Sequence, residues 1–484
     1  MSHNLTKEMV FSSIVWKFLE RGGTQGIQFI IQIFLARLLS PKDYGIIALI
    51  TVFIALANVF VQSGFNTALI QKQDIDKTDF SSVFCISLLV ATILYFVLFF
   101  SAPLISSFYK ITELVKIIRI LSLTLFLGAI SSIQNAIIAR KMMFKKLFYS
   151  SFCSIFISGN IALILAFKNF GVWSLVYQQL LNQLFMCLVL GYIVKWKPSF
   201  ILSLKRLKVL FKFGGKLLLS NLIYTLYDQL TNLIVGKVYN TNILGSYNRG
   251  MQFPSVIGTN IDSTIQSVLF PVLSLEQNNR NKIKKIMRRA IVTSFYLMCP
   301  MMFGLFIISE NLIELLLTQK WLSSVPYLRI FCIYFMLLPI STSNLQAINA
   351  MGRSDIFLKL EIIKKIIGII IIYQTIKYNP LIMAIGILIS GVIGSFINTF
   401  PNKKLLNYSY LEQIKDILPT FLLSIIMGIF IYPIIFLKFS NIMTIFLQVV
   451  LGAVIYVALS YLLKLECFMY LLNIILNLKK RDQL

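Results

Sequence analysis

Stretches of about 20 mainly apolar residues follow one another from near residue 12 to near residue 465, with short connections between them. A helix of that length spans a hydrocarbon layer of about 30 Å. The spans fall near 12–38, 44–70, 83–108, 114–139, 147–167, 172–194, 212–238, 245–273, 287–309, 325–350, 357–376, 380–400, 412–437 and 441–465, about fourteen in all. Backbone polar groups in lipid must be satisfied within the segment, so the expected fold class is an all-α integral membrane protein. The longest connections, 195–211 and 274–286, are too short to hold a folded domain outside the membrane. Composition excludes the soluble alternative: 58% of 484 residues are hydrophobic and 13% charged, more apolar surface than a water-soluble chain can hide.

The 45 Lys and Arg against 18 Asp and Glu give a formal charge of +27. An even number of spans places both termini on one side. If that side is cytoplasmic, most basic residues fall on inner loops, as the positive-inside rule requires. The densest clusters, Lys205, Arg206 and Lys208, then Arg280, Lys282, Lys284, Lys285, Arg288 and Arg289, read as topogenic charges that also attract anionic membrane lipids. They flank apolar spans and form no soluble basic module, so no nucleic-acid partner is expected. His3 is the single histidine, which excludes a His-based metal site and a nucleophile–His pair; no metal, cofactor or catalytic residue is expected. Cys85, Cys153, Cys187, Cys299, Cys332 and Cys467 lack CxxC spacing and read as reduced packing residues. No basic start, apolar stretch and small-residue cleavage site occur in order, so the N-terminus is expected to be retained.

The chain repeats itself. A shift of 200 residues lays Arg37 on Lys237, Gly45 on Gly245, Phe53 on Phe253, Ser63 on Ser263 and Leu69 on Leu269. A shift near 210 lays Arg119-Ile120 on Arg329-Ile330 and Ile130-Ser131 on Ile340-Ser341. One further residue of shift brings Asn135-Ala136-Ile137 onto Gln346-Ala347-Ile348. The order of these matches predicts two six-span lobes, 1–204 and 205–405, with a two-span extension and short tail over 406–484. In repeat-built transporters substrate sits between such halves.

Polar side chains at membrane depth are costly and therefore candidate functional residues. The first span carries Lys17, Glu20 and Arg21, and Arg21, Gln25, Gln28 and Gln32 recur every three or four residues as one stripe. Such a stripe needs a hydrated cavity. Further candidates for the cavity wall are Asn58, Gln62, Asn135, Asn232, Asn260, Gln266 and Gln346, with Asp228 standing 200 residues after Gln28 and Asp262 on the eighth span. Amides also serve as plain interhelical glue, worth about 0.6–2 kcal/mol per hydrogen bond. Pro103, Pro254, Pro271, Pro300 and Pro339 lie inside spans and bend them.

Four segments carry a family likeness: LARLLSPKDYG (35–45), FVQSGFNTALIQ (60–71), LGSYNRGMQFP (244–254) and VLFPVLS (268–274). In these the chain resembles the bacterial polysaccharide flippases of the multidrug/oligosaccharidyl-lipid/polysaccharide exporter superfamily, in the branch of colanic-acid-type and teichuronic-acid-type exporters. The resemblance covers nearly the whole chain. It implies an inner-membrane protein of two rocking lobes that flips an undecaprenyl-diphosphate-linked oligosaccharide to the periplasmic leaflet for O-antigen, capsule or exopolysaccharide synthesis. It further implies a basic cavity residue on the diphosphate, carried over to Arg21, with Lys17, Arg249 and Lys216 as lesser candidates. Coupling to H+ or Na+ would rest on Asp228, Asp262 or Glu20, and polymerase or export machinery would be the protein partner. A cation antiporter of the same superfamily is the alternative, though it should carry more intramembrane acids. A membrane glycosyltransferase stands third, because no outer loop is long enough for a catalytic one.

Overall fold

The computed structural model describes residues 7–62, 69–70, 75–196, 199, 201 and 203–481, and among them there are helices and no strands. The helices are α1 (Lys7–Leu38), α2 (Pro41–Gln62), α3 (Lys77–Tyr109), α4 (Leu114–Leu121), α5 (Thr124–Arg140), α6 (Phe144–Phe167), α7 (Val172–Val194), α8 (Leu204–Val238) and α9 (Thr241–Leu275). They continue as α10 (Arg280–Leu317), α11 (Val325–Met336), α12 (Leu338–Ala350), α13 (Ser354–Thr375), α14 (Pro380–Leu406), α15 (Tyr410–Ile431), α16 (Asn441–Leu462) and α17 (Glu466–Arg481).

Among the described residues, 10 helical segments are long and apolar enough to cross a membrane. The remaining four expected spans are α1, α8, α9 and α13, which have the length but carry the amides and charges that lower their hydropathy. Large apolar side chains face outward at helical spacing, as in Ile93, Phe96, Phe100, Leu104 and Phe108 of α3 and Ile442, Phe446, Val450, Val454, Val457 and Tyr461 of α16. Exposed rows of this size are unstable in water and natural in lipid.

Local sequence explains where helices begin. In LLSPKDYG, Ser40 is the N-cap and Pro41, without an N–H to lose, opens α2. The Ser40 backbone N–H and hydroxyl donate to Asp43 Oδ2 at 2.9 and 2.6 Å, and the Asp43 N–H donates back to Ser40 Oγ at 3.3 Å, a closed capping box.

The repeat is visible in backbone torsions. Left-handed or positive-φ residues close equivalent helices at about 210 residues' separation: Lys110 (φ 58°) with Thr318 (79°), Met142 (52°) with Gly352 (73°), and Lys195 (52°) with Asn407 (48°). It is visible in side chains too. Arg119 Nε donates to the Phe99 carbonyl at 3.4 Å and stacks 4.1 Å from that ring's centroid. Arg329 Nε donates to Ser309 Oγ at 2.9 Å and stacks on Phe306 at 5.7 Å. Each arginine reaches 20 residues back, from the shorter first piece of a broken span to the helix before it. The fold is therefore an all-helical bundle whose corners and arginine contacts recur at a separation of about 210 residues.

By packing, the chain divides into two compact units, residues 1–245 and 246–484. In the first, Leu35, Ile46, Ile50, Ile117, Leu121 and Val176 make the core. The buried face of α6 is lined by Ser150, Ser154, Ser158, Gly159, Ala162 and Ala166, small residues that let α1 and α7 approach closely. In the second, α15 and α16 pack on α10 through Tyr296, Leu423, Met427, Ile431 and Tyr456. Tyr296 donates to Ser460 Oγ at 2.9 Å and Tyr456 to the Tyr296 carbonyl at 2.8 Å, so both buried phenols are satisfied. Arg288 holds the second unit's end together. It donates to Asp416 at 3.0 Å and, in a two-pronged bond of 2.9 and 2.8 Å, to Glu466 at the start of α17.

That pair yields a pH prediction. Hydrogen bonding to Arg288 holds the Glu466 carboxyl below the usual glutamate range. A lowered carboxylate stabilises the fold above its unfolded pKa and ceases to do so as pH falls through the folded one. Protection of the amides in the first turns of α17, measured against the intrinsic exchange rate at each pH, should therefore fall on acidification below about pH 4, and Glu466→Gln should show the lower protection already at neutral pH. Identical exchange in wild type and Glu466→Gln at pH 7 would refute the clamp.

Candidate functional site

In the first unit amides gather from four helices. Gln32 Nε2 on α1 donates to Gln178 Oε1 on α7 at 3.2 Å, and the Tyr44 hydroxyl reaches the Gln32 carbonyl at 3.4 Å. On α2, Gln62 Nε2 donates to Asn58 Oδ1 at 3.1 Å. This pair lies against Gly128 of α5, where a Cβ would stand 2.8 Å from Gln62 Nε2 and 3.1 Å from Asn58 Oδ1. On α5, Asn135 is half-buried, while its buried neighbour Gln134 donates to the Cys187 carbonyl at 3.2 Å. Gln183 of α7 donates to Ser131 at 2.9 Å, and Asn182 Oδ1 is a buried acceptor with no bond. Gln25 is half-buried and Gln28 exposed.

Sequence reasoning placed the span of α7 but assigned it no site residue. Its signal was present in QQLLNQ: Gln178 and Asn182 stand four apart, as do Gln179 and Gln183. Each pair forms a short polar stripe inside an otherwise apolar span.

The charged candidates are placed differently from one another. Lys17 Nζ pairs with Glu20 at 2.7 Å and lies 5.5 Å from the Phe144 ring, so these two site candidates neutralise each other one turn apart. The side chains of Arg21 and Lys216 lie outside the described residues. Asp228 of α8 is exposed and accepts from Gln229 at 2.9 Å, and Asn232 donates to Gln229 Oε1 at 3.0 Å, which makes a three-residue polar run along one helix.

In the second unit Arg249 is 4% exposed. It donates to Gln252 at 2.5 Å, and its guanidinium lies 5.2 Å from the ring centroid of Trp321, itself fully buried. A charge so enclosed is held by its neighbours. Asp262 accepts from Gln266 at 2.8 Å on its own helix and from Thr342 of α12. Asn260 bonds back to the Val256 carbonyl at 2.7 Å, and Gln346 is half-buried.

A second amide cluster escaped the sequence reading in part. Asn344 Nδ2 on α12 donates to Gln413 Oε1 on α15 at 2.8 Å, and Gln413 Nε2 returns a bond to Asn344 Oδ1 at 3.1 Å. Asn402 of α14 adds a bond to the same Oδ1 at 2.7 Å, and Asn398 donates to Ser341 at 2.5 Å. All four amides are fully buried, or 1% exposed for Gln413. Asn398 Oδ1 and Asn402 Oδ1 remain buried without a bond.

Removing the hub tests this ranking. Asn344→Ala strands Gln413 and Asn402 in an apolar interior and should cost about 1–3 kcal/mol. Gln346→Ala, at a half-buried position, should cost well under that. Thermal unfolding in detergent measures both, and equal losses would show that the buried cluster has no special weight.

Residues 34–326 match the family described as polysaccharide biosynthesis protein. The succinoglycan biosynthesis transport protein ExoT of Rhizobium meliloti is 24% identical over 356 residues, 74% of this chain and 72% of that protein. The lipopolysaccharide biosynthesis protein WzxC of Escherichia coli is 21% identical over 437 residues, 87% of this chain and 88% of that one. The solved structure of the lipid II flippase MurJ in an inward closed conformation superposes with a TM-score of 0.74 at 19% identity, covering 93% of this chain and 98% of that chain. At that identity the likeness establishes the fold.

Proposed function

Because this chain belongs to the polysaccharide biosynthesis protein family, we propose that it is a transporter and not an enzyme. Its work is to flip an undecaprenyl-diphosphate-linked oligosaccharide from the cytoplasmic to the outer leaflet of the bacterial inner membrane, with both termini cytoplasmic. The carrier's diphosphate bears about two negative charges that cannot cross about 30 Å of hydrocarbon alone. Two lobes, 1–204 and 205–405, alternate in exposing the head group's site to either side, and the helices beyond 405 accompany the second lobe.

The observation that carries the proposal is the convergence of Gln32, Asn58, Gln62, Gln134, Gln178 and Gln183 inside a unit otherwise built of apolar helices. Sugars are recognised by such amides. The diphosphate requires a cation, and a guanidinium bonds two phosphate oxygens at once where an ammonium cannot. Arg21 has that role, with Lys216 as a lesser candidate. Lys17 is committed to Glu20, and Arg249 is enclosed under Trp321. Asp262, bonded across to Thr342, and Asp228 on the exposed face of α8 are the acids through which H+ or Na+ coupling acts.

The test is complementation of a flippase-null strain. Wild type should restore surface polysaccharide and drain the accumulated lipid-linked intermediate, whereas Arg21→Ala should restore neither although the protein reaches the membrane. Arg21→Lys should retain a fraction of export. Normal polymer from Arg21→Ala would remove the anchor. Asp262→Asn and Asp228→Asn should slow export and flatten its dependence on external pH, and an unchanged pH profile in both would dismiss ion coupling through these acids.

A further inference from the structure

The helix starts at Pro41 and Thr241 meet in a manner that side chains would forbid. A Cβ on Gly45 would lie 1.7 Å from the Thr241 carbonyl oxygen and 2.9 Å from its Cα. A Cβ on Gly245 would lie 1.9 Å from the Pro41 carbonyl oxygen and 3.1 Å from the Gly45 nitrogen. Backbone therefore lies directly on backbone, and no side-chain rotation could relieve an added methyl. The contact is reciprocal. Gly45 and Gly245, like positions 41 and 241, are equivalent under the 200-residue repeat, so each half's glycine receives the other half's helix start.

Neighbouring contacts extend the closure within the same unit. Gly236 of α8 admits Leu49 of α2, whose Cδ2 would stand 2.5 Å from an added Cβ. Tyr109 at the end of α3 donates to the Leu233 carbonyl at 3.5 Å, and Lys237 bonds the Phe108 carbonyl and lies 3.8 Å from that ring's centroid. With cytoplasmic termini, these ends of α2, α3, α8 and α9 all lie on the outer side. Residue 241 is buried, while Lys42 and Asn242, next to the contacting residues, are exposed.

We infer that the reciprocal Gly45–Gly245 crossing is the outer seal of the transport cycle: it forms when the site faces the cytoplasm and parts when the head group leaves. It rests on the transport reading above and deepens it by naming the residues that close one side. The two glycines are needed for the closed state and not for the helices that carry them, since alanine is a better helix former than glycine. A methyl at either position makes closure sterically impossible and shifts the population toward the parted state.

The experiment introduces Thr241→Cys into protein lacking its native cysteines and measures labelling by a membrane-impermeant maleimide added to the outside of intact cells. Adding Gly45→Ala or Gly245→Ala should raise the labelling rate about ten-fold or more. Gly304→Ala, where an added Cβ meets nothing within 4 Å, should leave it unchanged. Unchanged rates in both seal variants, with protein at the normal level in the membrane, overturn the inference. If the alanine variants do not accumulate, the glycines are kept and Lys42→Cys is joined to Asn242→Cys by a short cleavable thiol cross-linker. Export should stop and then resume on cleavage, and continued export by the cross-linked protein overturns the seal. Labelling reports closure whatever the cargo is. Failure of the wild-type protein to complement, together with faster labelling in the seal variants, would thus refute the cargo and leave the seal standing.

Discussion

Lipid offers no hydrogen bonds, and every polar atom in this protein has been placed under that constraint. It dictates helices for the backbone, and it acts equally on side chains. Lys17 is answered by Glu20 one turn away, Arg119 by a carbonyl and a ring, Arg329 by a hydroxyl and a ring, and Arg249 by Gln252 and Trp321. Amides pair with amides across helices. Where pairing stops short, as at Asn182 Oδ1 in the first unit and Asn398 and Asn402 Oδ1 in the second, an acceptor is left that strongly favours a donor.

The same constraint separates two kinds of polar residue that look alike in a string of letters. Asn344, Gln413 and Asn402 bond one another in a buried knot that fastens α15 to α12 and α14. Gln25, Gln28 and Gln346 keep part of their surface open. The first kind holds the helices in place, and the second keeps polar surface outside the packed interior.

Much of the architecture was legible before any coordinates. Hydropathy located the helices, and the paired matches Gly45/Gly245 and Arg119/Arg329 pointed to a chain that repeats itself. Partners across helices were not legible. Periodicity tells which face of a helix is polar, but not which neighbour meets that face, so Gln178, Asn182 and Gln183 passed unnoticed until α1 and α5 were seen beside them. The same blindness applied to Arg249. Its charge marked it as a ligand for phosphate, yet only packing reveals the indole lying over it. The helix likewise sets Glu20 beside Lys17, three residues back, where the two charges answer each other.

The turns that end equivalent helices have a wider bearing. Lys110 corresponds to Thr318, Met142 to Gly352 and Lys195 to Asn407, and within each pair the side-chain chemistry differs. What the halves have kept in common at these corners is a sign of rotation about one bond. A correspondence between two halves of one chain can therefore persist where their letters differ, written in the handedness of its corners.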